Sequence, residues 1–240
     1  MRRPGEPSTP RGWVAETRFG TWFLGTRIWS RYVLEPALEQ LLQLVGAPPH
    51  PLRSVLDLGC GEGRALPWLR ETFRPEALVG IDVDAELVER ARRRLADAQP
   101  IDADLRVGTA TKLDLPDESV DLTLCHQTLH HLEDPGAALH EIHRVLRPGG
   151  ILLAAESCRS FLRLAWVRLC FRHPPGAARP AEEWLELVRA GGFRFDRANV
   201  ATASPWWSRR DLGMRERLGR PERPDPAPAQ VLVAARRIPV

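Results

Sequence analysis

The ten residues Val55-Leu-Asp-Leu-Gly-Cys-Gly-Glu-Gly-Arg64 constrain this chain more than any other stretch. A short apolar run ends in Asp57, and glycines follow at 59, 61 and 63 before an amphipathic helical pattern begins. Glycine is required where backbone turns sharply or where another group approaches closer than a Cβ allows. A loop of this kind leaving the carboxyl end of a buried strand is where doubly wound sheets bind nucleotides. The second apolar run, Val79-Gly-Ile-Asp82, ends in another carboxylate. An acid there accepts hydrogen bonds from a ribose diol, so Asp82 is the candidate for ribose recognition.

Around this loop, short apolar runs alternate with amphipathic ones. Strands are expected at Ser54 to Leu58, Ala77 to Ile81, Leu105 to Val107, Val120 to Cys125 and Ile151 to Ala155. Helices are expected at Arg64 to Phe73, Ala85 to Ala98 and Pro135 to Leu146. Strands without polar alternation, separated by helices, imply a mostly parallel sheet covered on both faces, an α/β doubly wound fold. Further on, Glu182 to Ala190 reads as a helix stopped by Gly191-Gly192, Phe193 to Val200 as a strand and Gln230 to Arg236 as the last strand. Between those two strands lies a polar insert with a short helical candidate from Arg209 to Leu218. Ahead of the sheet, Trp13 to Val45 carries apolar residues at helical spacing and predicts one or two helices interrupted near Glu35-Pro36. Residues 1 to 11 are expected to be a disordered tail, and Pro48, Pro49 and Pro51 mark a boundary.

Composition narrows the function classes. Apolar residues make up 43% and charged residues 27%, which excludes a wholly disordered, collagenous or coiled-coil chain. Of 34 basic residues only Lys112 is lysine, yet the net charge is +3, and no aromatic interleaving or basic groove accompanies the arginines. A nucleic-acid partner is therefore not expected. Cys60, Cys125, Cys158 and Cys170 lie far apart, so no zinc site or disulfide framework is indicated, and a reducing, cytoplasmic location fits. No signal peptide is expected, and the sequence holds no run of 18 apolar residues. Phe161 to Phe171, with Arg163 and Arg168, suits a helix beneath a lid or a peripheral membrane contact.

Several stretches together resemble the successive motifs of class I S-adenosylmethionine-dependent methyltransferases. They are Val55 to Arg64, Gly80 to Asp84, Leu113 to Leu122, Leu129 to Pro135 and Glu141 to Gly150. The resemblance is to the branch that includes ubiquinone and menaquinone biosynthesis enzymes and small-molecule O-methyltransferases. It implies a seven-stranded sheet whose last strand is antiparallel. It divides the chain into an N-terminal helical lid at 12 to 47 and a cofactor-binding domain at 48 to 240, whose insert 201 to 229 closes over substrate. The implied cofactor is S-adenosylmethionine. Gly59, Cys60 and Gly61 would lie under its methionine part, Asp57 would tie the loop, Asp82 would hold the ribose and Val83 would flank the adenine. Where the family has an acid before Ala110, this chain has Thr109, whose hydroxyl would accept from the adenine amino group beside the Ala110 N–H. Cys125 matches a position whose backbone carbonyl receives the cofactor's amino group. By the same resemblance His130 would be a general base oriented by Glu156.

The segments outside the motifs supply the acceptor site. Trp22, Trp29, Trp166, Trp206 and Trp207 are candidates to wall a pocket for an apolar or aromatic small molecule methylated on oxygen or carbon. Two alternatives stay open. One is a cofactor-binding regulator without catalysis. The other is a nicotinamide-dependent oxidoreductase, against which the spacing G-x-G-x-G stands, since G-x-G-x-x-G is expected there and position 64 is Arg.

Overall fold

In the computed structural model, residues 12–46, 52–98, 101–209, 211–220 and 227–238 are described. The expected N-terminal tail and the proline boundary at 48 to 51 lie outside them. Eight strands form one sheet: β1 (Ser54–Leu58), β2 (Ala77–Asp82), β3 (Asp104–Val107), β4 (Val120–His126), β5 (Leu146–Ser157), β6 (Phe193–Arg194), β7 (Val200–Ala203) and β8 (Gln230–Arg237). Their order is β3-β2-β1-β4-β5-β8-β6, with β7 also on β8. The strands from β3 to β5 pair in parallel, while β8 runs antiparallel to β5, β6 and β7. Because β6 and β7 lie on the same side of β8, the sheet has seven strand positions with only β8 reversed, as expected.

Alternation along each central strand splits its side chains between two apolar layers. On β5, Leu152 and Ala154 join the layer built with the helices Pro135–Val145 and Ala181–Ala190. Their neighbours Ile151, Leu153 and Ala155 join the layer built with the helices Glu35–Val45, Leu66–Phe73 and Ala85–Ala98. Both faces of the sheet are thus dry, the condition for parallel strands with no polar alternation.

Three local departures have physical causes. The helix after the glycine loop starts at Leu66 rather than Arg64, with a proline in its first turn where no N–H is missed. The strand expected over Phe193 to Val200 is cut by the turn Arg197–Asn199. There Asp196 and Asn199 cap each other's backbone, so pairing opposite Arg236 resumes only opposite Val233. The helical candidate in the late insert shrinks to Met214–Arg217. The segment Phe161 to Phe171 forms two short helices, Arg159–Leu162 and Ala165–Cys170, rather than one. Among the described residues no helix is long and apolar enough to cross a membrane.

The N-terminal region contains the expected helices, and the feature near Pro36 is a change of pitch, not a break. Ser30–Leu34 is π-helical between Arg27–Trp29 and Glu35–Val45. Proline lacks an N–H, so Pro36 removes one donor where the pitch changes, next to the Glu35 N–H that reaches back five residues to Ser30. The indole Nε1 of Trp207 donates to the Tyr32 carbonyl at 2.9 Å and joins the late insert to the N-terminal helices. Replacing Trp207 with Phe should cost about 1 kcal/mol, a drop of roughly 3 °C in melting temperature. Hydrogen exchange should accelerate around both Trp207 and Tyr32. Unchanged exchange at Tyr32 would mean that the indole does not hold the two segments together.

Candidate functional site

The glycine loop leaves the carboxyl end of β1 and is tied down by its backbone. The N–H groups of Gly59 and Cys60 both donate to the Ile81 carbonyl at the end of β2, at 2.8 and 3.1 Å. Gly59 has φ +77°, and a Cβ there would stand 2.2 Å from Thr128 Oγ1. What forbids a side chain at 59 is thus the loop after β4, not a ligand. Thr128 in turn donates to the carbonyls of Leu58 and His126. Gly61, with φ +51°, is different: a Cβ there would meet nothing within 4 Å. Glu62 also lines the cavity, with Arg64, Arg90 and Arg94 around its carboxylate at 3.3 to 3.6 Å. Arg64 also donates to Ser30 Oγ, which fastens the loop to the N-terminal helices.

The carboxylate of Asp82 accepts from the N–H of Gly61 at 2.8 Å and from that of Asp84 at 2.9 Å, one on each oxygen. Burial pushes it above the usual carboxylate range, and the two N–H donors pull it back. Asp57 is buried with Oδ2 lacking any partner; burial and the nearby charge of Asp82 push it up to about 7. Cys60 is buried between them, and burial together with both carboxylates raises its thiol far out of the reactive range.

Asp57, Gly59, Cys60, Gly61, Asp82, Val83, Thr109 and Ala110 line one cavity of about 460 Å³. The Thr109 hydroxyl lies 2.9 Å from Thr111 Oγ1 and accepts from the Thr111 N–H at 3.2 Å, so part of its capacity is spent within its own turn. Cys125 stands apart. It is fully buried in β4 between Leu58 and Ala154 and does not line the cavity; His126, Gln127 and Thr128 do.

The same cavity is also walled by aromatic rings. Trp29, Trp166, Trp206 and Trp207 line it, as expected, but Trp22 does not: it is 62% exposed on the outer face of its helix. Trp13, Phe23, Tyr32, Phe161 and Phe171 line it too, which sequence reading missed because single aromatics carry no motif. His130 and Glu156 do come together. The Nδ1 of His130 lies 2.6 Å from Glu156 Oε2, with both side chains buried. Glu156 also accepts from the N–H groups of Thr128, Leu129 and His130, which fixes the whole turn after β4. A carboxylate so placed makes Nδ1 the donor and leaves Nε2 with the lone pair.

Two further cavity residues were not legible in the sequence. Trp13 bridges to Leu132, and the Val14 N–H donates to the His131 carbonyl, so the strand-like entry segment lies across the histidine turn. This brings Glu16 to 3.5 Å from His131 Nε2. His173, after the helix Ala165–Cys170, stacks against both histidines with ring centroids 5.2 Å from His130 and 5.1 Å from His131. Burial pushes His126 and His173 down to about 3 and His131 well down, each helped by the neighbouring His130.

Residues 56–154 match a family model described as a methyltransferase domain. This part of the chain is thus similar to S-adenosylmethionine-dependent methyltransferases. A Mycolicibacterium smegmatis protein described as a probable S-adenosylmethionine-dependent methyltransferase is 37% identical over 154 residues, covering 60% of this chain and 53% of its own. The O-methyltransferase resE of Aspergillus sclerotiorum is 29% identical over 203 residues, covering 79% and 76%. Across several curated relatives, the match spans only 30% to 62% of their lengths. Among solved structures, the methyltransferase bound to the Trm112 activator of Haloferax volcanii superposes with a TM-score of 0.70, at 22% identity over 92% of this chain and 96% of that one. That likeness is one of fold.

The methyltransferase cofactor, S-adenosylmethionine, fits the residues present. A buried carboxylate oxygen of Asp57 has no partner, the space over Gly61 is open, and Asp82 keeps lone pairs beyond its two backbone donors.

Two predictions follow from the loop. Gly59→Ala should destabilise the protein by about 2 kcal/mol or more, from a positive φ and the clash with Thr128. Adding Thr128→Ala should recover part of that in a denaturant melt, and no recovery would clear Thr128. The second concerns Asp57. The unfolded chain releases its proton near 3.8 and the folded protein near 7. Between these values the folded state holds the extra proton, so this residue's contribution falls as pH rises. Without cofactor, Asp57→Asn should therefore melt above the parent at pH 8, with the gap narrowing by pH 5. A gap independent of pH would contradict the burial argument.

Proposed function

We propose that the protein is a cytoplasmic enzyme that transfers a methyl group from S-adenosylmethionine to an oxygen or carbon of an apolar, aromatic-rich small molecule. The observation that carries this reading is one cavity lined both by carboxylates with an open glycine and by aromatic rings, with His130 in its wall. The arrangement suits a cofactor with a ribose and an amino-acid portion beside a flat apolar acceptor.

When bound, S-adenosylmethionine supplies an electrophilic methyl on a sulfonium, to be displaced in line by the acceptor. The chain's own residues do the rest. Asp82 holds the ribose hydroxyls, Gly61 admits the cofactor's backbone-hugging part, and Val83 and Ala110 flank the adenine. Trp29, Trp166, Trp206 and Trp207 exclude water and orient the acceptor. The acceptor's hydroxyl proton passes to His130 Nε2, and Glu156 on Nδ1 stabilises the imidazolium that results. The N-terminal helices and the insert 201 to 229 are the cover of the acceptor end. Support comes from the Trp207 contact to Tyr32 and from the aromatics that both segments contribute.

Titration of the protein with S-adenosylmethionine in a calorimeter should show binding, weakened by about 1 to 3 kcal/mol in Asp82→Ala. On an aromatic hydroxyl acceptor panel, His130→Ala should slow transfer roughly 100-fold while cofactor affinity holds. Binding without turnover on any acceptor would instead favour a regulator. No binding at all would end the proposal.

A further inference from the structure

His130, His131 and His173 present one ring nitrogen each within 4.8 Å of the others, on the wall of the cavity. We propose that these three imidazoles bind a divalent transition-metal cation of the zinc class. The metal site goes beyond methyl transfer and stands without it; only its consequence for His130 rests on the proposed function.

Four features of the cluster make it a ligand set and not a packed histidine core. First, His130 already has its Nδ1 fixed on Glu156, a carboxylate–histidine pair of the kind that orients metal-bound imidazoles and raises their basicity. Its remaining nitrogen is the ligand. Second, the Nδ1 of His131 is buried without a hydrogen-bond partner, an uncompensated polar atom within the cluster. A cation bound there would compensate it. Third, three histidines with an open fourth position facing a cavity is the donor set of reactive zinc sites, where the vacant position takes water or a ligand oxygen. Fourth, Glu16 and Glu156 border the cluster and offset the dication's charge.

The cost is small. Nitrogens about 2.1 Å from a tetrahedral zinc lie about 3.4 Å apart, so the rings must close by a little over 1 Å. His173 sits on the irregular segment between the helix Ala165–Cys170 and Ala177, where side-chain and backbone adjustment disturbs no strand. Lone-pair geometry also sets a functional consequence. The His130 nitrogen that would accept the acceptor's proton is the one a cation occupies. Metal loading and proton acceptance by His130 are therefore mutually exclusive, and the cation acts as an inhibitor that competes for the base.

The test uses the full chain freed of metal by chelation and dialysis. Titration with zinc chloride, with metal content read by plasma mass spectrometry, should give one equivalent. Cobalt(II) should give the intense visible bands of a tetrahedral site. In His173→Ala the affinity should fall roughly 100-fold or more, since loss of an outer partner alone costs 10- to 100-fold. His140→Ala, in an exposed histidine away from the cluster, should leave zinc affinity unchanged. Melting and S-adenosylmethionine titration report whether His173→Ala remains folded, and His131→Gln provides a second removal of one ligand. Zinc affinity equal in the parent and both cluster variants, or octahedral cobalt spectra, overturns the proposal. Loss of cofactor binding with zinc binding intact would instead strike the methyl-transfer reading and leave this one standing.

Discussion

The turn after β4 depends on a single buried carboxylate. Glu156, at the end of β5, accepts from three consecutive backbone N–H groups and from the His130 ring. A buried charge is tolerated only when its oxygens are saturated by donors, and here the donors all come from one turn. That turn carries Thr128, which occupies the space a side chain at position 59 would need, and His130 and His131, which face the cavity. Glycine loop, histidine turn and strand end are therefore one hydrogen-bonded unit. Moving Glu156 would disturb the loop at Gly59 and the histidine turn together.

Ion pairs give the arginine excess its meaning. Arg144 binds Glu141 and Asp117 and donates to the carbonyls of Leu113 and Leu115. Glu141 in turn accepts from the Leu113 N–H. Two stretches that stand out in the sequence thus hold each other and never touch the cavity. Arg147 binds Asp121, which also accepts from the N–H groups of Arg53 and Ser54. These guanidinium groups act as cross-links between loops and strand ends, a use that suits a planar fork of donors better than an ammonium.

Legibility in the sequence followed the range of the interactions. The strand Ser54–Leu58 and the helix Ala85–Ala98 were readable to the residue, because period and caps are local. Asp57, Gly59, Gly61 and Asp82 line one cavity because the ends of the adjacent strands β1 and β2 bring them together. Cys125 does not line the cavity because β4 pairs on through His126, which does. Trp22 was misassigned because a helix face toward solvent and one toward a pocket share the same spacing. Glu16 and His173 could not be found at all. They reach the histidine turn only through tertiary pairing of an entry segment and a loop more than 150 residues apart.

The proline at position 36 follows directly on residues that wall the cavity, Trp29, Tyr32 and Leu34. Trp206 and Trp207 of the late insert belong to the same wall: the Trp207 indole donates to the Tyr32 carbonyl, and Tyr32 packs edge-on against Trp206. The two segments are thus joined by one hydrogen bond and one ring contact between residues that water also reaches, so water can replace either contact and the seam is reversible.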